Sequence, residues 1–271
     1  ELRGATWRPD DRFVLGPIDL AVARHETVGI VGQSGAGKST VVDLLSRLRR
    51  PSSGSLLVNG VDAMAFSSAS WAARIACVPQ EPVLLGGTVA DNIRLGRDSI
   101  VQTQVEQAAR AVHADAFIER MPDGYASVVA ERGATLSVGQ KQLLSFARAL
   151  AFEPRILVLD EATSSVDTET EVLIRDALAV LMRGRTTIAI AHRLSTIQDM
   201  DKILVLHKGT VREQGTHQEL LAERGIYFKL FELQYRAGAD STPGSLSPEP
   251  QSLRVPVPMS PEPLGPEPPG P

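Results

Sequence analysis

Residues 32 to 39 read Gly-Gln-Ser-Gly-Ala-Gly-Lys-Ser and follow the short apolar run Thr27-Val28-Gly29-Ile30-Val31. This spacing suits the binding of a polyphosphate between a strand and a helix. Gly32, Gly35 and Gly37 let the backbone curl so that consecutive N–H groups face one anion. Lys38 adds a full positive charge for the β- and γ-phosphates, and the Ser39 hydroxyl is a Mg²⁺ ligand. A helix opening at Lys38 brings its positive dipole end to the same point. The whole run, with Gln33, Ser34, Ala36 and Thr40 included, is expected to line the phosphates of a nucleotide, with Mg²⁺ as its companion. A chance glycine-rich turn would lack the strand before it and the apolar helix after it (Val41, Val42, Leu44, Leu45, Leu48).

A second group of chemical residues closes the apolar run Arg155-Ile156-Leu157-Val158-Leu159-Asp160-Glu161. In a phosphate-loop enzyme the acid at such a strand end belongs near Mg²⁺, a role that falls to Asp160. Side chains alternate along a strand, so Glu161 points the other way and can polarise a water for in-line attack on the γ-phosphate. Acids also close buried strands for purely structural reasons. The phosphate loop in the same chain favours the catalytic reading.

These groups need a scaffold, and the remaining pattern supplies one. Residues 12–31 and 55–60 read as strands, as do 75–78, 155–160, 186–191, 202–206 and 210–214. From about Val83 to Leu150 the spacing turns helical, with helices expected near 88–93, 102–113 and 137–151. Strands and helices in this order imply a mainly parallel sheet wrapped by helices and interrupted by a helical insertion. Past Tyr235 there are no aromatic residues and 11 of the 18 prolines, so a Pro-rich tail without a packed core is expected over 236–271.

Composition narrows the partners. Of 271 residues 43% are hydrophobic and 22% charged, and the net charge is −4. The only basic cluster, Arg47, Arg49 and Arg50, is expected to close the helix after the phosphate loop, so nucleic-acid binding is not suggested. The single cysteine, Cys77, lies in an apolar run and is expected to be a small buried hydrophobe. The five histidines are scattered, and no apolar run approaches the ~20 residues needed to span a bilayer. The chain opens with Glu1 rather than Met, which reads as a piece of something longer.

Leu136-Ser137-Val138-Gly139-Gln140 resembles the signature of ABC (ATP-binding cassette) ATPases, usually Leu-Ser-Gly-Gly-Gln. Gln80 after Pro79, Ser164-Ser165-Val166-Asp167 and Ala191-His192-Arg193 fit the same family in its own order, over about residues 1–235. The resemblance implies a RecA-like phosphate-loop NTPase core with an N-terminal antiparallel β subdomain and an inserted α-helical subdomain at about 83–151. It also implies that Ser137 and Gly139, with Gln140, contact the γ-phosphate of an ATP held by a second nucleotide-binding domain, and that Asp167 crosses that interface. Gln80 would sense Mg²⁺ and the attacking water, and His192 would contact the γ-phosphate and orient Glu161. The adenine would stack on an early aromatic, here Trp7, with Phe13 as the competitor. Val138 departs from the signature, but the Ser137 hydroxyl and the Gly139 amide beside it are retained.

Glu81 to Gly96, Glu131-Arg132-Gly133 and residues 191–197 are similar to exporter nucleotide-binding domains in particular. That implies ATP hydrolysis powering export, with a transmembrane domain as partner and a place on the cytoplasmic side of a membrane. A soluble ABC ATPase of DNA repair or translation would bring a long coiled-coil or basic insertion, and none is present. A regulatory domain with weak hydrolysis would usually have lost Glu161 or His192. Ser/His/Asp catalysis through Ser137, His192 and Asp167 lacks a nucleophile elbow.

Overall fold

The computed structural model describes residues 1–9, 13–160, 168–190 and 197–239. Two sheets organise them. The first joins β1 (Leu2–Trp7), β2 (Leu15–Leu20), β4 (Ser53–Val58) and β5 (Val61–Asp62), all antiparallel, in the order β2-β1-β4-β5. The second joins β3 (Thr27–Gly32), β6 (Ile75–Val78), β9 (Ile156–Asp160), β10 (Thr186–Ile190), β11 (Lys202–His207) and β12 (Thr210–Gly215). Its order is β12-β11-β3-β10-β9-β6, parallel throughout except for the edge strand β12.

The parallel strands are continuous apolar runs because helices cover both faces. Leu157, Val158 and Leu159 are buried in succession, as are Ile203 to Leu206. The antiparallel sheet alternates instead. In β2, Ile18 and Leu20 face the core while Asp19 faces out and accepts a hydrogen bond from the Gly4 amide. Its inner face packs on α1 (Lys38–Leu45), where Val41 and Leu44 lie on the buried side with Leu2, Ala5 and Ile18.

Between β6 and β9 come α3 (Val89–Arg94), α4 (Gln102–Ala111) and α6 (Val138–Ala151), close to the spans that periodicity predicts. Shorter elements complete this segment and the one before it: α2 (Ser68–Ala72), α5 (Asp115–Ile118) and a two-stranded ribbon of β7 (Gly87–Thr88) and β8 (Val128–Val129). Val89, Ile93, Val105, Ala109, Leu144 and Ala147 form the contact between the longer helices. Thr88 starts α3 with a capping box, its hydroxyl accepting from the Asp91 amide at 3.0 Å and its own amide donating to Asp91.

A polar clamp crosses the same contact. The half-buried Arg148 of α6 donates to the carbonyls of Asn92 (2.8 Å) and Val83 (3.0 Å). The Asn92 amide in turn both donates to the Leu85 carbonyl and accepts from the Leu85 N–H, each at 2.9 Å. The segment 83–85 is thereby held to the helix that carries the signature.

Helix α7 (Thr168–Met182) lies between β9 and β10, and α8 (His217–Glu223) and α9 (Ile226–Ala239) follow β12. Glu213 receives the Ile226 and Tyr227 amides at the start of α9, and the Tyr227 hydroxyl sits 2.7 Å from His217 Nδ1. Burial pushes that phenol up to about 12, so it stays protonated at neutral pH. Helix α9 runs to Ala239, past Tyr235; residues 240–271 of the proline-rich tail lie outside the described residues.

Two expectations need correction. Cys77 is exposed, because β6 is the edge strand and turns Ala76 and Val78 inward; its sulfur lies 3.1 Å from the Ser46 hydroxyl. The arginine cluster does not close α1, which ends at Leu45 with no base in its last turn. Arg47 and Arg49 lie beyond it and stack on Trp71 and Trp7.

Replacing Arg148 with Ala leaves two carbonyls without their charged donor, so we expect a loss of about 2–3 kcal/mol. Chemical denaturation checks this; a midpoint equal to wild type would mean that water replaces the guanidinium at no cost.

Candidate functional site

β3 ends at Gly32, where a Cβ would overlap the Leu206 carbonyl oxygen of β11, so only glycine lets the loop leave the sheet here. Gly37 closes the loop at φ 104°, and a Cβ on it would lie 2.6 Å from Leu15 Cδ1 and 3.3 Å from Phe13 Cζ. Between them Ala36 is buried while Gln33, Ser34 and Gly35 are exposed. Helix α1 begins at Lys38 with no side-chain cap and no acid in its first turn, which leaves its amides for an anion. Ser39 is exposed and Thr40 half-buried in that turn.

Lys38 is only 8% exposed, and its Nζ donates to the Gly32 (2.8 Å) and Gln33 (3.1 Å) carbonyls of its own loop. Burial pulls its pKa below the ordinary lysine value, and the Asp160 carboxylate opposes that pull. The ammonium is thus held by neutral carbonyls, with a full anion the stronger partner for it.

Sequence reasoning missed the prop beneath this loop. The turn between β11 and β12 places Lys208 and Gly209 at positive φ. The Gly209 amide donates to the Ala36 carbonyl at 3.0 Å, and its carbonyl accepts from the Gly16 amide at 2.7 Å. Both sheets are tied to the phosphate loop through one residue. A two-residue Lys-Gly link between two strands was the available signal.

Register gathers the other candidates. Ile30, Ile190 and Asp160 stand in one rank across β3, β10 and β9, and Val78 of β6 pairs with Leu159. Four parallel strands therefore end at one edge, and the crevice beyond the carboxyl ends is where α/β sheets bind ligands. Gln80 lies exposed two residues past β6. Glu161, Asp167 and His192 lie outside the described residues. Gln142, a buried amide of α6 that spacing did not single out, lines a small cavity with Asp160, Val78 and Phe146.

The signature stands at the start of α6. Ser137 is its N-cap: the hydroxyl accepts from the Gln140 amide at 3.2 Å, and Gln140 Oε1 accepts from the Ser137 amide at 2.9 Å. This capping box, an S-x-x-Q pattern legible in the sequence, gives both side chains a structural duty. It leaves the Val138 and Gly139 amides without an intrahelical acceptor. Val138 takes ordinary helical geometry and is 51% exposed.

Trp7 ends β1 opposite Leu15, half-buried. Phe13 lies between it and the loop, with ring centroids 6.4 Å apart and planes at 58°. Among the described residues no cluster of three His, Cys, Asp or Glu could hold a metal. Ser39 and Asp160 are hard oxygen donors beside a phosphate loop, which suits Mg²⁺ shared with a polyphosphate rather than a metal caged by protein alone.

The ABC transporter family model matches residues 15–164. The chain belongs to the ABC transporter family. It is similar to the ATP-dependent lipid A-core flippase of Chromohalobacter salexigens, 48% identical over 84% of this chain and 39% of that protein. It is equally similar to human ATP-binding cassette sub-family B member 5, 48% identical over 84% of this chain and 18% of the relative. Among solved structures, a bacterial Atm1-family ABC exporter with ATP bound matches with a TM-score of 0.80 and 41% identity, over 86% of this chain and 41% of that one. The chain spans about two fifths or less of each relative. It has the phosphate-loop α/β fold of an ABC ATP-binding domain, with the antiparallel β subdomain and the helical insertion expected of it.

Loss of the Lys38 ammonium removes a charge-assisted contact to phosphate, so Lys38→Ala should weaken ATP binding by about 1.5–3 kcal/mol, roughly ten- to a hundredfold in Kd. Calorimetric titration measures it directly. An unchanged Kd would show that the carbonyl-bound amine never engages the nucleotide.

Proposed function

We propose that this chain hydrolyses ATP in a sandwich with a second nucleotide-binding domain and that the cycle powers export through a transmembrane domain. The observation that carries the reading is the open phosphate loop with Lys38 at its base, set in one crevice with the Asp160 strand end. Gly32 to Thr40 wrap the phosphates by backbone amides, and Lys38 neutralises the β- and γ-oxygens. Ser39, Asp160 and Gln80 would hold Mg²⁺, which supplies charge neutralisation on the phosphates.

Hydrolysis requires a base for the attacking water, and Glu161, the carboxylate that follows Asp160 in the sequence, takes that role. His192 contacts the γ-phosphate and orients Glu161. The amides of Gly139 and Val138, with the Ser137 hydroxyl proton, meet the γ-phosphate of an ATP on the partner domain, and Gln140 secures the turn that presents them. Asp167 crosses the same interface. Adenine stacks on Trp7. Phe13 abuts Gly37 too closely to the phosphates to hold the base, whereas Trp7 is one ring further out.

The domain is taken to extend from residue 1 to about 235, with 83–151 as the helical subdomain and a Pro-rich tail beyond. A flippase and an ABC exporter among the similar proteins support a transport role, and the domain is placed at the cytoplasmic face of a membrane as the ATP-hydrolysing part; among the described residues no helix is long and apolar enough to cross one.

The test is Mg²⁺-dependent ATPase activity against protein concentration, for wild type and Glu161→Gln. Specific activity should rise with concentration in wild type and fall by about a hundredfold or more in the mutant, with ATP affinity retained. Near-normal turnover in the mutant would remove Glu161 from the mechanism. A rate independent of concentration would remove the two-domain sandwich.

A further inference from the structure

Helix α1 starts on the phosphate loop, and the turn after its end reaches the proposed base site. Arg49 lies four residues past α1, and its backbone amide donates back to the Asp43 carbonyl at 3.1 Å. Its side chain returns to the same residue, with Nε 2.7 Å from the Asp43 carboxylate. Held in this way, the guanidinium carbon stands 4.5 Å from the centre of the Trp7 ring. Trp7 therefore has one face covered by a cation, and Phe13 stands tilted beside it on the side of the phosphate loop.

We propose that Arg49, anchored by Asp43, is the positioning residue of the adenine platform: it fixes the indole of Trp7 and leaves a single face for the base. The inference rests on the reading of Trp7 as the stacking residue. Its physical basis is the ring quadrupole. A cation over one face is attracted to the negative π cloud and holds the ring in one orientation. A base on the opposite face then meets a preorganised surface and loses less side-chain freedom on binding. Asp43 matters because an untethered arginine would spread over many rotamers. Anchored through both backbone and carboxylate, it orders Trp7 from the helix that also carries Lys38, so one short helix serves both ends of the nucleotide. Arg47 forms a parallel contact with Trp71, but that indole is buried and its N–H is bound to the Ser46 carbonyl, so it serves packing alone.

The test compares ATP with inorganic tripolyphosphate, which has the charge and lacks the base, by calorimetric titration. An exposed cation–π contact predicts that Arg49→Ala weakens ATP by about two- to fivefold. Tripolyphosphate affinity should stay unchanged, Arg49→Lys should recover part of the loss, and Arg49→Ala should add nothing in a Trp7→Ala background. A purely structural role would weaken both ligands together or persist without Trp7, and either result overturns the proposal. Tighter ATP binding by Arg49→Ala overturns it too, since Arg49 would then be covering the face that the base needs. If Trp7→Ala alone leaves ATP affinity intact, the stacking reading fails and the inference falls with it; if Trp7→Ala weakens ATP and Arg49→Ala does not, only the inference fails.

Discussion

Everything in this domain depends on the convergence of backbone amides on a single small volume at the end of β3. An N–H has no freedom to turn toward an anion unless the chain itself turns, and a chain with side chains could not turn this tightly here. Gly32 passes against the Leu206 carbonyl, and Gly37 passes against Leu15 with a left-handed backbone. The sheets on either side are arranged to hold that path. Gly209 bonds to the loop at Ala36 and to the β subdomain at Gly16, so the two sheets meet at the place where the phosphates are to be bound.

The parallel order of β3, β10, β9 and β6 follows from the same requirement. Acid, amide and loop are far apart in sequence, and parallel strands deliver their C-terminal ends to one edge whatever the length of chain between them. The helical insertion uses that freedom. It leaves after β6 and returns at β9, and it brings the start of α6 into the structure without disturbing the rank of Ile30, Ile190 and Asp160.

Much of this was legible in the residues. The glycine spacing named the loop, the apolar runs of β9 and β11 named buried parallel strands, and periodicity placed α3, α4 and α6. What escaped has a common cause: it depends on which face of an element is covered. Cys77 sits in an apolar run, yet an edge strand has one side open, and edge position is a property of strand order that no local pattern records. The arginines after α1 look like helix-terminal charges, but Arg47 and Arg49 each found an aromatic ring contributed by another element. The Gly209 prop was written as a two-residue turn, and its importance lay in the loop it happened to face.

The capping box at Ser137 has a consequence for how this site tolerates change. One hydroxyl both starts a fourteen-residue helix and stands next to the amides offered to an anion. A substitution there meets two independent demands in a single atom, and satisfying one does not relieve the other. The neighbouring Val138 side chain meets neither, since it points outward and only the backbone amide of that residue faces the anion site. Local geometry therefore leaves the third position of the motif the one freest to change, which is where this chain departs from the usual signature.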